Sequence, residues 1–161
     1  IPDNGGVYLI PAFAGLSAPY WLPNAKAMYY GISAATNYKH LVRASLESVA
    51  YQIVVYLDYL QDSENINISK IIIEGGMSNN NFLIQLLANL TNKEIKIPLF
   101  ADMSAYGSLL KGLLSSNKLN DFEDLKKYTV KTKSFFPTVD KKSYENFETW
   151  KEIIDKHYIN I

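Results

Sequence analysis

The longest regular pattern along the chain is a series of apolar residues at helical spacing. Thr36 or Asn37 can cap the start of such a helix. On the opposite side of the same stretch lie the polar residues His40, Arg43 and Glu47. The pattern predicts a long amphipathic helix that ends near position 61. Its apolar stripe consists of Leu41, Leu46, Val49, Ile53, Leu57 and Leu60.

Four short apolar runs have the length and the flanking turn residues of strands. They cover residues 7–10, 27–33, 71–73 and 94–98. The run at 71–73 is all isoleucine, which predicts a buried strand. Residues 15–23 combine glycine, serine and two prolines, so we expect a loop, with Tyr20 and Trp21 filling apolar space beneath it.

Further helical patterns follow the third and fourth strands. A stripe from Phe82 to Leu90 predicts one helix, residues 104–115 a second, residues 121–128 a third behind a capping box of Asn120 with Glu123, and residues 142–158 a fourth. Phe135 and Phe136 are expected to anchor the C-terminal part to the core. Strands that alternate with helices predict an α/β domain whose sheet is at least partly parallel.

Composition narrows the class of protein. The 161 residues are 48% hydrophobic with no net charge, which fits one folded domain and argues against a disordered chain. Because the net charge is zero, the composition does not indicate a basic surface for nucleic acid or a membrane.

The chain has no cysteine, which fits a cytoplasmic protein. It begins at Ile1 rather than Met, which suggests a fragment. More than half of the charged residues fall within 118–161, so we expect a charged helical extension there.

The most distinctive local feature is the stretch from Ile71 to Asn80, which reads IIIEGGMSNN. A strand ends, Gly75 and Gly76 turn the backbone, and a helix begins. Ligands of open α/β sheets bind at this edge, and glycines let the main chain approach them. The helix start supplies free N–H groups, and Asn80 adds a side-chain donor and acceptor. A nucleotide fits such a place, although a plain strand–helix turn with an Asn cap explains the same residues.

Other candidate residues carry weaker signals. Glu74 lies at the same strand end, where holding the turn is the preferred role. His40 and His157 are far apart in sequence and are expected to be separate surface histidines. The sequence contains no Ser–His–Asp order, no H-E-x-x-H motif and no G-x-x-x-x-G-K-[ST] motif.

Several segments resemble the FGGY family of carbohydrate kinases. The second signature of that family is similar to residues 27–32 (AMYYGI) with residues 40–47 (HLVRASLE), and the similarity extends from Gly6 to about Gly112. The resemblance implies a ribonuclease H-like, actin-like fold, a mixed sheet with helices on both faces. It also implies a reaction in which the γ-phosphoryl group of ATP passes to a hydroxyl of glycerol or a sugar, with Mg²⁺. Carried over by position, Gly75, Gly76 and Asn80 would bind the nucleotide.

The same resemblance implies which parts lie elsewhere. Residues 1–161 would form a single domain, the C-terminal nucleotide-binding lobe. The phosphate-binding loop, the polyol-binding residues and the catalytic base would lie upstream of Ile1, so no catalytic residue and no metal ligand is named here. We expect a homo-oligomer when the protein is full length. Another polyol or sugar as acceptor, a non-catalytic actin-like scaffold, and a domain without a ligand remain alternatives.

Overall fold

The first two apolar runs form an antiparallel pair of short strands. A computed structural model describes residues 1–63, 66–100, 102–119 and 121–159. In it β1 (Tyr8–Ile10) pairs with β2 (Met28–Tyr30), with Tyr8 opposite Tyr30 and Ile10 opposite Met28. All of β1 is buried, whereas Tyr29 and Tyr30 are partly open to solvent. The strand β2 has three residues, whereas the apolar run in the sequence has seven.

The long helix is present as expected, but its most deeply buried side is not the one that the sequence predicted. Helix α1 (Tyr38–Asp62) begins at Asn37, whose side chain accepts a hydrogen bond from Lys39 N, while His40 Nδ1 accepts from Asn37 N. The predicted stripe is only half-buried, with Val49 36% exposed and Ile53 packed against the core, whereas Glu47 of the predicted polar side is 2% exposed. The buried side of α1 is formed by Ala44, Glu47, Ser48, Ala50, Tyr51, Val54 and Val55.

A cluster of hydrogen bonds explains how Glu47 can be buried. Its carboxylate accepts hydrogen bonds from Arg43 Nε at 2.7 Å, Asn4 Nδ2 at 2.9 Å and the Tyr51 hydroxyl at 3.3 Å. Burial, and then the negative charge of Glu47, raise the pKa of Tyr51, so this hydroxyl stays a donor. A buried carboxylate with three donors avoids most of the desolvation cost that apolar surroundings would impose.

The remaining strands form a second, mixed sheet. The strand β3 (Ile71–Ile72) runs parallel to β4 (Ile95–Pro98), and helix α2 (Asn81–Thr91) connects them. On the other side of β4 lies β5 (Thr132–Phe135), antiparallel, with Ile95 opposite Phe135. The strand β3 is an edge strand, and Ile72 is 63% exposed, so the prediction of a buried strand is wrong.

The segment 118–161 is not purely a helical extension. After helix α3 (Met103–Ser115) and a 3-10 helix (Phe122–Tyr128) it supplies β5, then helix α4 (Lys141–Ile154) and a π-helical turn (Asp155–Ile159). Asp121 caps the 3-10 helix, while Asn120 lies outside the described residues. Trp150 of α4 is fully buried and its Nε1 donates to Leu9 O at 2.7 Å. The helix α4 is thus part of the core.

Two expectations about aromatic anchors are half right. Phe135 packs against the core, but Phe136 is 64% exposed. Tyr20 also packs against the core, and burial raises its pKa to about 12, whereas Trp21 is 70% exposed. No helix in the described part of the chain combines the length and the apolar character that crossing a bilayer requires.

Candidate functional site

The turn after β3 has the backbone geometry that only glycine adopts freely. Gly75 has φ +94° and ψ 177°, and a 3-10 helix (Gly76–Asn79) follows at once. The carbonyl oxygen of Gly75 accepts hydrogen bonds from Ser78 N at 3.0 Å and from Ser78 Oγ at 2.7 Å. Ser78 therefore holds the turn. A Cβ added at Gly75 or Gly76 would meet no atom within 4 Å, so both glycines border open space.

Asn80 lies at the junction of this turn with α2. Its side-chain oxygen accepts a hydrogen bond from Leu83 N at 3.2 Å, which makes it the N-cap of the helix. The cap uses the oxygen of the amide and leaves the NH₂ group without a partner among the described residues. The neighbours Asn79 and Asn81, rather than Asn80, line the adjacent cavity.

A cavity of about 440 Å³ opens beside the two glycines, within the usual size range of ligand sites. Its polar lining residues are Glu74, Ser78, Asn79, Asn81 and Lys133. Its apolar lining residues are Ile97, Pro98, Leu99, Phe100 and Phe135. The cavity lies at the carboxyl ends of the parallel strands β3 and β4, the edge where open α/β sheets bind ligands.

Lys133 and Glu74 are the charged residues among those that line the cavity. Lys133 Nζ donates to Asn81 Oδ1 at 3.0 Å and lies 4.5 Å from the centre of the Phe135 ring. These two contacts hold the ammonium group at the cavity wall. Glu74 is exposed and forms no hydrogen bond or ion pair with another described residue. The expected role for Glu74 in holding the turn therefore falls to Ser78.

Sequence reasoning missed the wall contributed by β5. Lys133 and Phe135 reach the cavity because β5 pairs with β4, more than thirty residues earlier in the chain. A signal was available, since residues 130–136 contain β-branched and aromatic residues in partial alternation and end at Pro137. The balanced charges of residues 118–161 favoured solvated helices for the segment as a whole instead.

The other candidate residues lie away from the cavity. His40 belongs to the cap of α1, and the His157 ring is 5.5 Å from that of Tyr30, with its Nε2 buried and unpartnered among the described residues. Both histidines are half-buried rather than fully exposed. In the described part of the chain no three His, Cys, Asp or Glu residues cluster as metal ligands.

Comparison with known proteins gives a consistent result. The model of the C-terminal domain of the FGGY family of carbohydrate kinases matches residues 1–116. The chain is 34% identical to a glycerol kinase of Clostridium perfringens over 97% of its length, and 32% identical to one of Haemophilus influenzae over the same share. It covers 31% of each of these relatives, so it spans about a third of their length.

Solved structures agree with the sequence comparison. The structure of Plasmodium falciparum glycerol kinase with ADP superposes with a TM-score of 0.85 at 25% identity, over all of this chain and 32% of that one. Ligand-bound xylulose kinase from Lactobacillus acidophilus gives a TM-score of 0.76 at 19% identity, over 95% of this chain and 31% of that one, and supports the fold alone.

Proposed function

Because the chain belongs to the FGGY family of carbohydrate kinases, we propose that it forms the nucleotide-binding lobe of a full-length kinase that phosphorylates glycerol. The relatives at 34% and 32% identity are glycerol kinases, and they support glycerol as the acceptor over a sugar. We further propose the ribonuclease H-like, actin-like arrangement, in which a second lobe upstream of Ile1 closes over this one. An enzyme that consumes ATP fits the cytoplasm, which is the compartment we propose.

The observation that carries the proposal is the cavity beside Gly75 and Gly76. Its volume and its mixture of polar and apolar lining residues suit an adenosine moiety. A purine can lie against Pro98, Phe100 or Phe135, while ribose hydroxyls and phosphates need polar partners. The superposition with a kinase structure that contains ADP supports a nucleotide as the occupant.

Each of the three expected binding residues has a defined part in this proposal. Gly75 and Gly76 leave room for close approach of the nucleotide, because no side chain covers the backbone there. Asn80 offers its NH₂ group, since only its oxygen is used by the helix cap. To these the proposal adds Lys133, whose positive charge at the cavity wall can face a ribose or phosphate oxygen.

The proposed reaction needs groups from both lobes. The acceptor hydroxyl loses its proton to a base, its oxygen bonds to the γ-phosphorus of ATP, and the bond to the β-phosphate breaks to release ADP. Such catalysis consists mainly of positioning and charge stabilisation. The lobe described here would hold the adenosine end. Among the described residues, Glu74 is the only carboxylate that lines the cavity, and one carboxylate is not a set of ligands for Mg²⁺. The ion would reach the site with the phosphates of ATP.

The test is phosphoryl transfer by the full-length protein. ADP release is measured with ATP, Mg²⁺ and one acceptor at a time: glycerol, a longer polyol, xylulose or gluconate. We expect glycerol to give the highest kcat/KM. A higher kcat/KM for a sugar would show that the sugar, and not glycerol, is the acceptor. Nucleotide binding without any phosphoryl transfer would favour the actin-like scaffold.

A further inference from the structure

Three polar residues of α1 have no part in the proposed function so far. His40, Arg43 and Glu47 belong to the stretch that resembles the family signature, and their spacing of three and four residues places them on one side of the helix. None of them lines the cavity beside Gly75 and Gly76. The contacts of Arg43 connect this side of α1 to the cavity.

The guanidinium group of Arg43 is held by three contacts at once. Its Nε donates to Glu47 Oε1 at 2.7 Å, and its Nη1 donates to the carbonyl oxygen of Ile1 at 3.0 Å. Its Cζ lies 4.1 Å from the centre of the Phe82 ring. The side chain is only 21% exposed, so water competes little with these contacts. Only the planar, forked guanidinium group can donate to two oxygens and stack on a ring at the same time.

Glu47 ties Arg43 to the core of the domain. The Glu47 carboxylate is buried, and its position is set by further hydrogen bonds from Asn4 Nδ2 and from the Tyr51 hydroxyl. The charge of Arg43 is therefore held at a fixed place, with Phe82 as its contact on the neighbouring helix α2.

Phe82 belongs to the first turn of α2, which follows the glycine turn without a break. In the same turn, Asn80 caps the helix through Leu83 N, and Asn81 Oδ1 accepts a hydrogen bond from Lys133 Nζ. Two cations from separate elements thus hold this turn, Arg43 of α1 through Phe82 and Lys133 of β5 through Asn81. A shift of the turn would move the NH₂ group of Asn80.

We infer that Arg43 and Phe82 are positioning residues of the nucleotide site. The stacked guanidinium group fixes the first turn of α2 and thereby keeps the Asn80 NH₂ group where the nucleotide meets it. Neither residue lines the cavity, so both act through Asn80. The inference rests on the proposed function. Its physical basis is that a hydrogen bond to a ligand weakens steeply with misalignment, and that small displacements of a binding group reduce activity strongly.

A role in folding alone would have a different consequence. It would lower the free energy of unfolding and leave the KM for ATP of the folded enzyme unchanged. A positioning role raises the KM for ATP and leaves the KM for glycerol unchanged, because the acceptor is bound by the upstream lobe in the proposed enzyme.

The test compares two substitutions of Phe82 in the full-length protein. Phe82→Leu keeps an apolar side chain but removes the ring on which Arg43 stacks, whereas Phe82→Tyr keeps the ring. Phe82 borders a concavity, so a hydroxyl group has room. Lys151→Met is the matched control, because Lys151 Nζ lies 4.8 Å from the Phe147 ring in α4 and neither residue lines the cavity. Steady-state kinetics give both KM values, and urea unfolding shows that each variant is folded.

We expect Phe82→Leu to raise the KM for ATP about five- to tenfold, the range that a largely desolvated cation–π contact supports, with an unchanged KM for glycerol. Phe82→Tyr and Lys151→Met should keep wild-type KM values. Arg43→Lys should raise the KM for ATP in the same way, since an ammonium group cannot replace the stacked fork. The double variant should be no worse than the more affected single variant, because both substitutions remove the same contact.

An unchanged KM for ATP in Phe82→Leu, a similar rise in Phe82→Tyr, or effects of Arg43→Lys and Phe82→Leu that multiply would each overturn the inference. If Arg43→Lys does not fold, the two Phe82 variants decide alone. Gly76→Val in the same assay separates the inference from the proposed function. A raised KM for ATP in Gly76→Val but not in Phe82→Leu overturns the positioning role only, and wild-type values in both overturn the placement of the nucleotide as well.

Discussion

Single residues in this domain combine structural and proposed binding roles, and Asn80 is the clearest case. Its side-chain oxygen caps α2 through Leu83 N. Its NH₂ group has no partner among the described residues, which leaves it free for a ligand. Replacement by alanine would remove both functions at once. Aspartate, in contrast, keeps the cap, because Asp and Asn are equally good N-cap residues.

The substitution Asn80→Asp therefore isolates the proposed contact with the nucleotide. We expect the free energy of unfolding to stay within about 0.5 kcal/mol of wild type, because the cap is retained. The KM for ATP of the full-length enzyme should rise about tenfold, since a hydrogen-bond donor is replaced by an anion. Urea unfolding and steady-state kinetics measure the two effects. An unchanged KM for ATP would remove Asn80 from the nucleotide site.

At the scale of elements, local patterns were readable from the sequence and distant pairings were not. The helical spacing of apolar residues in α1 and the strand–Gly-Gly–helix turn are local patterns, and both elements are present. The orientation of α1 was predicted wrongly because Glu47 is buried with partners as remote as Asn4. The strand β5 was missed because its four residues gain stability only by pairing with β4. The contribution of Lys133 to the cavity was therefore not predicted, because the strand signal in residues 130–136 does not say which strand β5 pairs with.

The start of α4 gives a prediction about acid stability. Burial opposes ionisation of Asp140, but hydrogen bonds from the Ser143 hydroxyl and N–H and from Asn89 outweigh it, so the pKa lies below its ordinary value of 3.8. A carboxyl whose pKa is lowered by folding stabilises the native state above its unfolded pKa. That contribution is lost as pH falls through the folded pKa.

Asp140→Asn should consequently lower stability at about pH 6 more than at about pH 2.5, because the contribution of the ionised carboxyl declines once the pH falls below the ordinary pKa of 3.8. Urea unfolding at the two pH values measures this difference. Asp102→Asn is the matched control, since Asp102 caps α3 through Ala105 N on an exposed surface. An equal loss at both pH values for Asp140→Asn would show that its charge does not contribute.

At the scale of the whole molecule, buried residues from β1, α1, α2, β4 and α4 share one hydrophobic core. The family model matches residues 1–116, yet α4 beyond it is bound to β1 through Trp150 and through the Tyr8 hydroxyl, which donates to Asn146 Oδ1 at 3.3 Å. The C-terminal segment thus contributes to the core. In the proposed enzyme this lobe would contact ATP, and the upstream lobe would supply the acceptor site and the base.

That division predicts that a substitution in this lobe affects one substrate only, and Gly76→Val tests it most directly. The chain itself has room for the new side chain, because a Cβ at Gly76 meets no atom within 4 Å. A clash with bound nucleotide of about 1–3 kcal/mol would raise the KM for ATP roughly 5- to 150-fold. Gly112→Val, at another glycine with open surroundings, is the control.

The decisive measurement is the pair of KM values of the full-length Gly76→Val enzyme, for ATP and for glycerol, beside wild type and the control. We predict a raised KM for ATP, an unchanged KM for glycerol, and wild-type values for Gly112→Val. Equal changes in both KM values, or none, would contradict the assignment of the nucleotide to this turn.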